Sequence, residues 1–201
     1  MGKKVITIGR QCGNGGRTIG AMVAAKLDIP FYDKRLIEIV SQRSGLAQET
    51  IEQEGEYHHS SLLYNIAASG GFYAYDASRR SEMRLPDQIN AYQTELIKEV
   101  AENGPCVIVG RCADYILKDR TDCFHVFIHG TMNERMKRVV AEHQISADRA
   151  KFHIMERDRK RARYYKHITD QIWGHAKNYD LCLNSSYFGI DRCVEMILAS
   201  I

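Results

Sequence analysis

The sequence predicts an α/β protein built on a parallel sheet flanked by helices, and three observations carry that expectation. Short apolar, β-branched runs alternate along the 201 residues with stretches of helical apolar spacing. One of the runs, Cys106-Val107-Ile108-Val109, is continuously apolar, the pattern of a strand covered on both faces. Between the first run and the first helical stretch lie Gly9, Gly13, Gly15, Gly16 and Gly20, five of the fifteen glycines within twelve residues.

The elements follow in order. Val5-Ile6-Thr7-Ile8 reads as the first strand, and Ile19, Met22, Val23 and Leu27 give the first helix, stopped near Asp28-Ile29-Pro30. A short segment, Pro30-Phe31-Tyr32-Asp33, comes next. Leu36, Ile37 and Val40 have helical spacing, and Ile89, Leu96, Ile97 and Val100 form a second amphipathic helix after Pro86. Residues 57–84, rich in Tyr, Ser, Gly and Arg, show no clear period and read as mobile or ordered by a partner; Tyr64, Phe72, Tyr73 and Tyr75 there suggest a small packed lobe. Beyond the continuous strand, Phe124 to Ile128 is another strand, and Thr131-Met132-Asn133-Glu134 is a capping box opening a helix to about His143. A basic helix, capped by Ser146, precedes a last strand at Asp180 to Asn184. A terminal helix then runs through Val194, Ile197 and Leu198.

Composition excludes several classes. With 44% hydrophobic and 26% charged residues, a mostly disordered chain is ruled out, and three prolines exclude a Pro-rich one. No apolar run approaches the ~18 residues of a membrane span. The opening Met1-Gly2-Lys3-Lys4 lacks the apolar region of a signal peptide, and Ile6 stands where an N-myristoyl motif needs Ser or Thr, so a cytoplasmic location is expected. Six cysteines contain no C-x-x-C pair, and Cys106, Cys123, Cys182 and Cys193 sit among apolar residues as small core side chains would. The eight histidines, the His58-His59 pair included, show no metal-ligand spacing.

Net charge is +3, but residues 149–166 hold eight Lys or Arg against Glu156 and Asp158. The remaining chain is therefore slightly acidic, and the basic block suggests an anionic partner met at one place. Taken alone, Arg157, Arg159, Arg161 and Arg163 could also be a solvated helix face.

A glycine-rich turn between strand and helix is where α/β proteins bind phosphate, because bare backbone N–H groups and the helix dipole converge there. The turn reads Gly9-Arg10-Gln11-Cys12-Gly13-Asn14-Gly15-Gly16-Arg17-Thr18. A P-loop reads G-x-x-x-x-G-K-[ST]. With Gly16-Arg17-Thr18 on its last three positions, Gln11 replaces the first glycine and Arg17 the lysine. The dinucleotide fingerprint G-x-G-x-x-G fits worse. Cys12 in this loop could be a reactive thiol or a small filler.

Three further motifs join the glycine turn: Gly110-Arg111-Cys112-Ala113-Asp114 after the continuous strand, Glu156-Arg157-Asp158 with Arg161-Ala162, and Tyr179-Asp180-Leu181-Cys182-Leu183-Asn184-Ser185-Ser186. Together the four give the chain a resemblance to the cytidylate kinase-like family of the nucleoside monophosphate kinases. The resemblance covers nearly the whole chain. Against authentic cytidylate kinases, G-S-G-K-G-T laid on Gly13 to Thr18 puts Gly16 at the lysine, and their G-R-D becomes Gly110-Arg111-Cys112.

The resemblance implies a P-loop NTPase-type parallel sheet forming one kinase-like domain. Its core would be residues 1–34, 104–144 and 177–201, with a helical insert binding the monophosphate at 35–103 and an Arg-rich lid at 145–176. It implies ATP with Mg²⁺ as donor and a nucleoside monophosphate such as CMP, or a similar small phosphate, as acceptor. Gly13, Asn14, Gly15, Gly16, Arg17 and Thr18 would hold the donor's β- and γ-phosphates, with Thr18 on Mg²⁺. Asp33, Arg35 and Arg111 would hold the acceptor, and Arg157 and Arg161 would close over the transferring group alongside Arg17. The alternative is a non-catalytic nucleotide-binding or sensing protein with a degenerate P-loop. Nucleic-acid binding and membrane binding are not expected.

Overall fold

The computed structural model describes residues 4–54 and 84–201. The expected features at His58, His59, Tyr64, Phe72, Tyr73 and Tyr75 lie outside the described residues.

Strand β1 (Val5–Arg10) leads through the glycine turn into helix α1 (Gly16–Leu27), followed by the two-residue β2 (Phe31–Tyr32). Helices α2 (Lys34–Ser44), α3 (Gln48–Glu54) and α4 (Leu85–Glu102) come before β3 (Cys106–Val109). A short helix α5 (Ala113–Ile116), β4 (Cys123–His129), α6 (Met132–His143) and α7 (Ala147–Thr169) lead to β5 (Leu181–Asn184) and α8 (Ser185–Leu198). The strands pair in parallel in the order β2-β3-β1-β4-β5.

The period-2 alternation of the strands divides the core into two layers. Val5, Cys106, Ile108 and Cys123 face Leu36, Val40, Ile89, Leu96 and Ile97 of the helices on one side. Ile6, Ile8, Val107, Val109, Val126 and Ile128 face Ile19, Val23, Val194 and Ile197 of α1 and α8 on the other. Both faces of the central strands are thus covered, as continuous apolar runs require.

Helix ends follow local chemistry. Thr131 accepts from the Glu134 N–H at 3.5 Å to start α6, and Ser146 accepts from the Arg149 N–H at 3.4 Å to start α7. The basic segment is one helix of 23 residues, seated through Ala150, Ile154, Tyr164, Tyr165 and Ile168. Cys182 departs from expectation. It is exposed, because β5 is the sheet's outer strand and its alternation turns Leu183, not Cys182, inward. Among the described residues, no helix is long and apolar enough to cross a membrane.

Candidate active site

Since the strands are parallel, the turns leaving β1, β2 and β3 all open at the same sheet edge, where ligands of such folds bind. A cavity of about 980 Å³ lies there, lined by Arg10, Arg17, Asp33, Arg111, Arg157 and Arg161 among others. Cations from three separated segments therefore converge on one space. The cavity's other walls carry Asp114, Tyr164, Tyr165, Trp173 and Tyr179, so its surroundings grade from basic to aromatic.

The glycine turn is held from several sides. The Asn14 side chain donates to the Ile128 carbonyl and accepts from the Gly16 N–H at 2.8 Å. Gly13 has a φ of +75°, and a Cβ there would stand 2.8 Å from the Arg135 carbonyl oxygen and from Val139. Only glycine takes this conformation and this approach without strain. Gly15, also left-handed, caps α1.

Helix α7 is tied to the same turn by a network the sequence did not disclose. Arg135, from α6, is buried; its Nε donates to the Cys12 carbonyl at 2.7 Å and its Nη2 to Asp158. The other Asp158 oxygen accepts from the Cys12 N–H at 2.7 Å. Arg161 donates to the Arg10 carbonyl at 3.2 Å. Nothing in the local sequence around Arg135 marks it as buried, since its partners lie 23 and 123 positions away. Burial pushes the Cys12 thiol up from its ordinary pKa, against the lowering influence of Arg161. A raised thiol is a poor nucleophile at neutral pH, so Cys12 is a small apolar filler beside Val139, Ala150 and Ile154.

Arg111 sits in an unusual stretch of backbone. Gly110, Arg111 and Cys112 all have left-handed φ, +77°, +56° and +54°. For two non-glycine residues in succession this is costly, about 1–3 kcal/mol each, and such strain gathers at functional sites. Its effect is to turn the Arg111 side chain into the cavity, where Nη1 is buried and finds no hydrogen-bond partner among the described residues. A buried guanidinium nitrogen lining a basic cavity is suited to hydrogen-bonding an anion. Three residues beyond Arg111, Asp114 is buried; loss of hydration raises its pKa to about 6, although the Tyr165 hydroxyl donates to it at 2.7 Å.

The expected site residues divide as follows. Arg17, Asp33, Arg111, Arg157 and Arg161 line the cavity together. Asp33 accepts from Arg17 Nε at 2.6 Å and lies 3.5 Å from Arg10 Nη2, so its immediate work is to orient two arginines. Arg35 is elsewhere, its guanidinium 5.7 Å from the Tyr32 ring centroid. Gly13, Asn14, Gly15, Gly16 and Thr18 belong to the turn and the start of α1 without lining this cavity, and Thr18 is exposed. Among the described residues no group of three or more His, Cys, Asp or Glu could hold a metal ion. A single threonine hydroxyl suits Mg²⁺ that arrives on nucleotide phosphates, since that ion rarely uses an all-protein cage.

The five-stranded parallel sheet, its glycine turn and the basic cavity define the fold as that of the P-loop kinases. Comparison with known proteins agrees. The sequence matches the cytidylate kinase-like family over residues 5–187, and the chain belongs to that family. The structure is similar to an uncharacterized protein from Eubacterium ventriosum, with 24% identity, coverage of 98% of this chain and 97% of that one, and a TM-score of 0.72. It is also similar to shikimate kinase from Bacteroides thetaiotaomicron, with 16% identity, 98% coverage of each chain and a TM-score of 0.53. A shikimate kinase from Acinetobacter baumannii, in complex with shikimate, aligns with 11% identity, 100% and 93% coverage and a TM-score of 0.52. No curated protein matches the sequence.

Proposed function

We propose that this protein transfers the γ-phosphoryl group of ATP to a nucleoside monophosphate, CMP-like, or to a similar small phosphate acceptor. The observation that carries the reading is the convergence of Arg10, Arg17, Arg111, Arg157 and Arg161 on one cavity beside a glycine turn. Its volume lies at the upper end of the ~300–1,000 Å³ usual for small-molecule sites, room enough for two phosphate-bearing ligands. In this reading the N–H groups of residues 13–18 and the Arg17 side chain hold the donor's β- and γ-phosphates, and Thr18 meets Mg²⁺ carried by the nucleotide. Arg111 takes the acceptor phosphate. Arg157 and Arg161 stand over the transferring group as part of a lid spanning residues 145–176, with the acceptor's remaining contacts in the insert at 35–103.

The chemistry asks for no nucleophile–base pair. The acceptor oxygen belongs to a phosphate that is already ionised, so positioning and stabilisation of spread negative charge supply the catalysis. Residues that exclude water from such a site also prevent transfer to water.

A second reading, nucleotide binding without turnover, is favoured by two features of the turn. Gly16 stands at the lysine position, and the N–H groups of Cys12 and Gly16 are already taken by Asp158 and Asn14. A thermal-shift panel of nucleotides with Mg²⁺, followed by a transfer assay on each hit, separates the two. Binding stabilises the folded chain whether or not chemistry follows. Transfer from ATP to a monophosphate supports the first reading; saturable binding with no transfer to any common monophosphate supports the second.

A further inference from the structure

We infer that Arg10 supplies the cation that an ordinary P-loop supplies from its lysine, the glycine and the basic residue having exchanged places in this turn; the inference rests on the kinase reading above. The exchange is visible once the structure chooses between the two possible registers. Helix α1 begins at Gly16, immediately after the left-handed Gly15. With the motif's Gly-Lys on Gly15-Gly16, its first glycine falls on Arg10. So the position that should be bare carries a long cation, and the position that should carry one is bare.

The packing shows that the two departures belong together. A Cβ on Gly16 would stand 2.6 Å from the Arg10 Cβ and 3.1 Å from its Cγ. Side chains at positions 10 and 16 thus compete for one space, and only one of them can hold it. A second glycine accommodates the other end of the arginine. Gly110 has a φ of +77°, and a Cβ there would fall on Arg10 Nη1. Arg10 therefore runs between Gly16 and Gly110 into the cavity, where its Nη2 lies 3.5 Å from Asp33 Oδ1.

Its location suits the role better than that of Arg17. The Arg10 side chain is 20% exposed and that of Arg17 is 64% exposed, although both reach Asp33. Arg10 also ends the central strand, and its carbonyl is fixed by Arg161 at 3.2 Å. A cation held rigidly in a partly desolvated site stabilises developing charge more than one in open water. Arginine keeps its proton and offers a planar fork, so the contact differs in shape from that of a lysine. In the step it would assist, an acceptor phosphate oxygen forms a bond to the γ-phosphorus. The bond from that phosphorus to the β–γ bridging oxygen breaks, and its electron pair departs on ADP. Arg10 would neutralise charge on the non-bridging oxygens, with Asp33 releasing it towards them.

The test is a reciprocal exchange. Wild type, Arg10→Ala, Arg10→Gly, Arg10→Lys and the double variant Arg10→Gly/Gly16→Lys are compared for transfer from Mg·ATP and for calorimetric affinity toward Mg·ADP. Thermal unfolding of each shows whether it folds. Arg10→Ala is expected to lower kcat by about 10²-fold or more, the usual consequence of losing one preorganised charge-stabilising donor. It should also weaken Mg·ADP by about tenfold, the scale of one charge-assisted hydrogen bond. Arg10→Lys should retain more activity than Arg10→Ala. The double variant should recover at least about tenfold over Arg10→Gly, since the lysine then stands where the motif places it; that rescue is one a merely structural arginine would not give. A folded Arg10→Ala within threefold of wild type in both measurements overturns the inference, as does a folded double variant no better than Arg10→Gly. If wild type binds Mg·ADP without transferring phosphate, the kinase reading fails while the affinity comparison still decides the place of Arg10. If wild type does neither, both fail together.

Discussion

Removing the Asp158 carboxylate should destabilise this protein well beyond the effect of an ordinary surface ion pair. Arg135 is 5% exposed at its side chain and Asp158 17%, and the guanidinium also donates to the Cys12 carbonyl. Asp158→Ala leaves that buried cation without its counter-charge and frees the Cys12 N–H as well. Breaking a buried pair in this way costs about 3–5 kcal/mol, and the partial exposure of Asp158 places the expectation near the lower end, about 3 kcal/mol. For a domain of this size each kcal/mol moves Tm by roughly 2–4 °C, so a fall of about 6–12 °C is expected. Urea unfolding and calorimetry measure it directly. The double variant Arg135→Met/Asp158→Leu should recover most of the loss, because two apolar side chains leave no orphaned charge. A Tm within 2 °C of wild type for Asp158→Ala would show that the network holds neither α7 nor the turn.

Three further outcomes follow from the same structure. Asp114 has a pKa raised from 3.8 to about 6 by burial, so the native state binds more protons in that interval; its contribution to stability is full below pH 3.8 and is lost as pH rises through about 6. Asp114→Asn should remove that fall, and parallel unfolding profiles for variant and wild type across this window would refute the assignment. Arg111→Ala should raise KM for the phosphate acceptor with little change in kcat, if its contact is equal in ground and transition states, and steady-state kinetics over both substrates distinguish this from a loss in kcat. Thr131→Ala removes the side-chain cap of α6 and should cost about 1 kcal/mol in urea unfolding without changing nucleotide affinity.

Most of the fold was legible because its strands are short apolar runs with few competing readings. Cys106 to Val109 has the pattern of a covered strand and forms one, and Thr131 with Glu134 announced a helix start that the structure reproduces. Strand β2 is only two residues long, too short for a period to register, and its place beside β3 is decided by tertiary pairing. The outward turn of Cys182 depended on β5 being the outer strand, a property of the assembled sheet. The residues that line the cavity were legible where a motif concentrates them, at Arg17, Arg111 and the arginines of α7. Arg135 was not legible, since its burial comes from a carbonyl and a carboxylate distant in sequence. Arg10 was hidden differently: the motif marks its position for a glycine, and only the Cβ clash at Gly16 shows the two positions to be exchanged.

Whether the basic cavity at the ends of the strands moves a phosphoryl group between nucleotides is decided by following phosphorus. Protein, Mg²⁺, ATP and each common nucleoside monophosphate in turn, CMP first, are monitored by ³¹P NMR. The γ-phosphate signal of ATP is expected to fall as the β-phosphate signals of ADP and of a second nucleoside diphosphate grow in equal amounts, without inorganic phosphate. Signals that stay unchanged for every monophosphate, in a sample where ATP demonstrably raises Tm, would contradict this expectation.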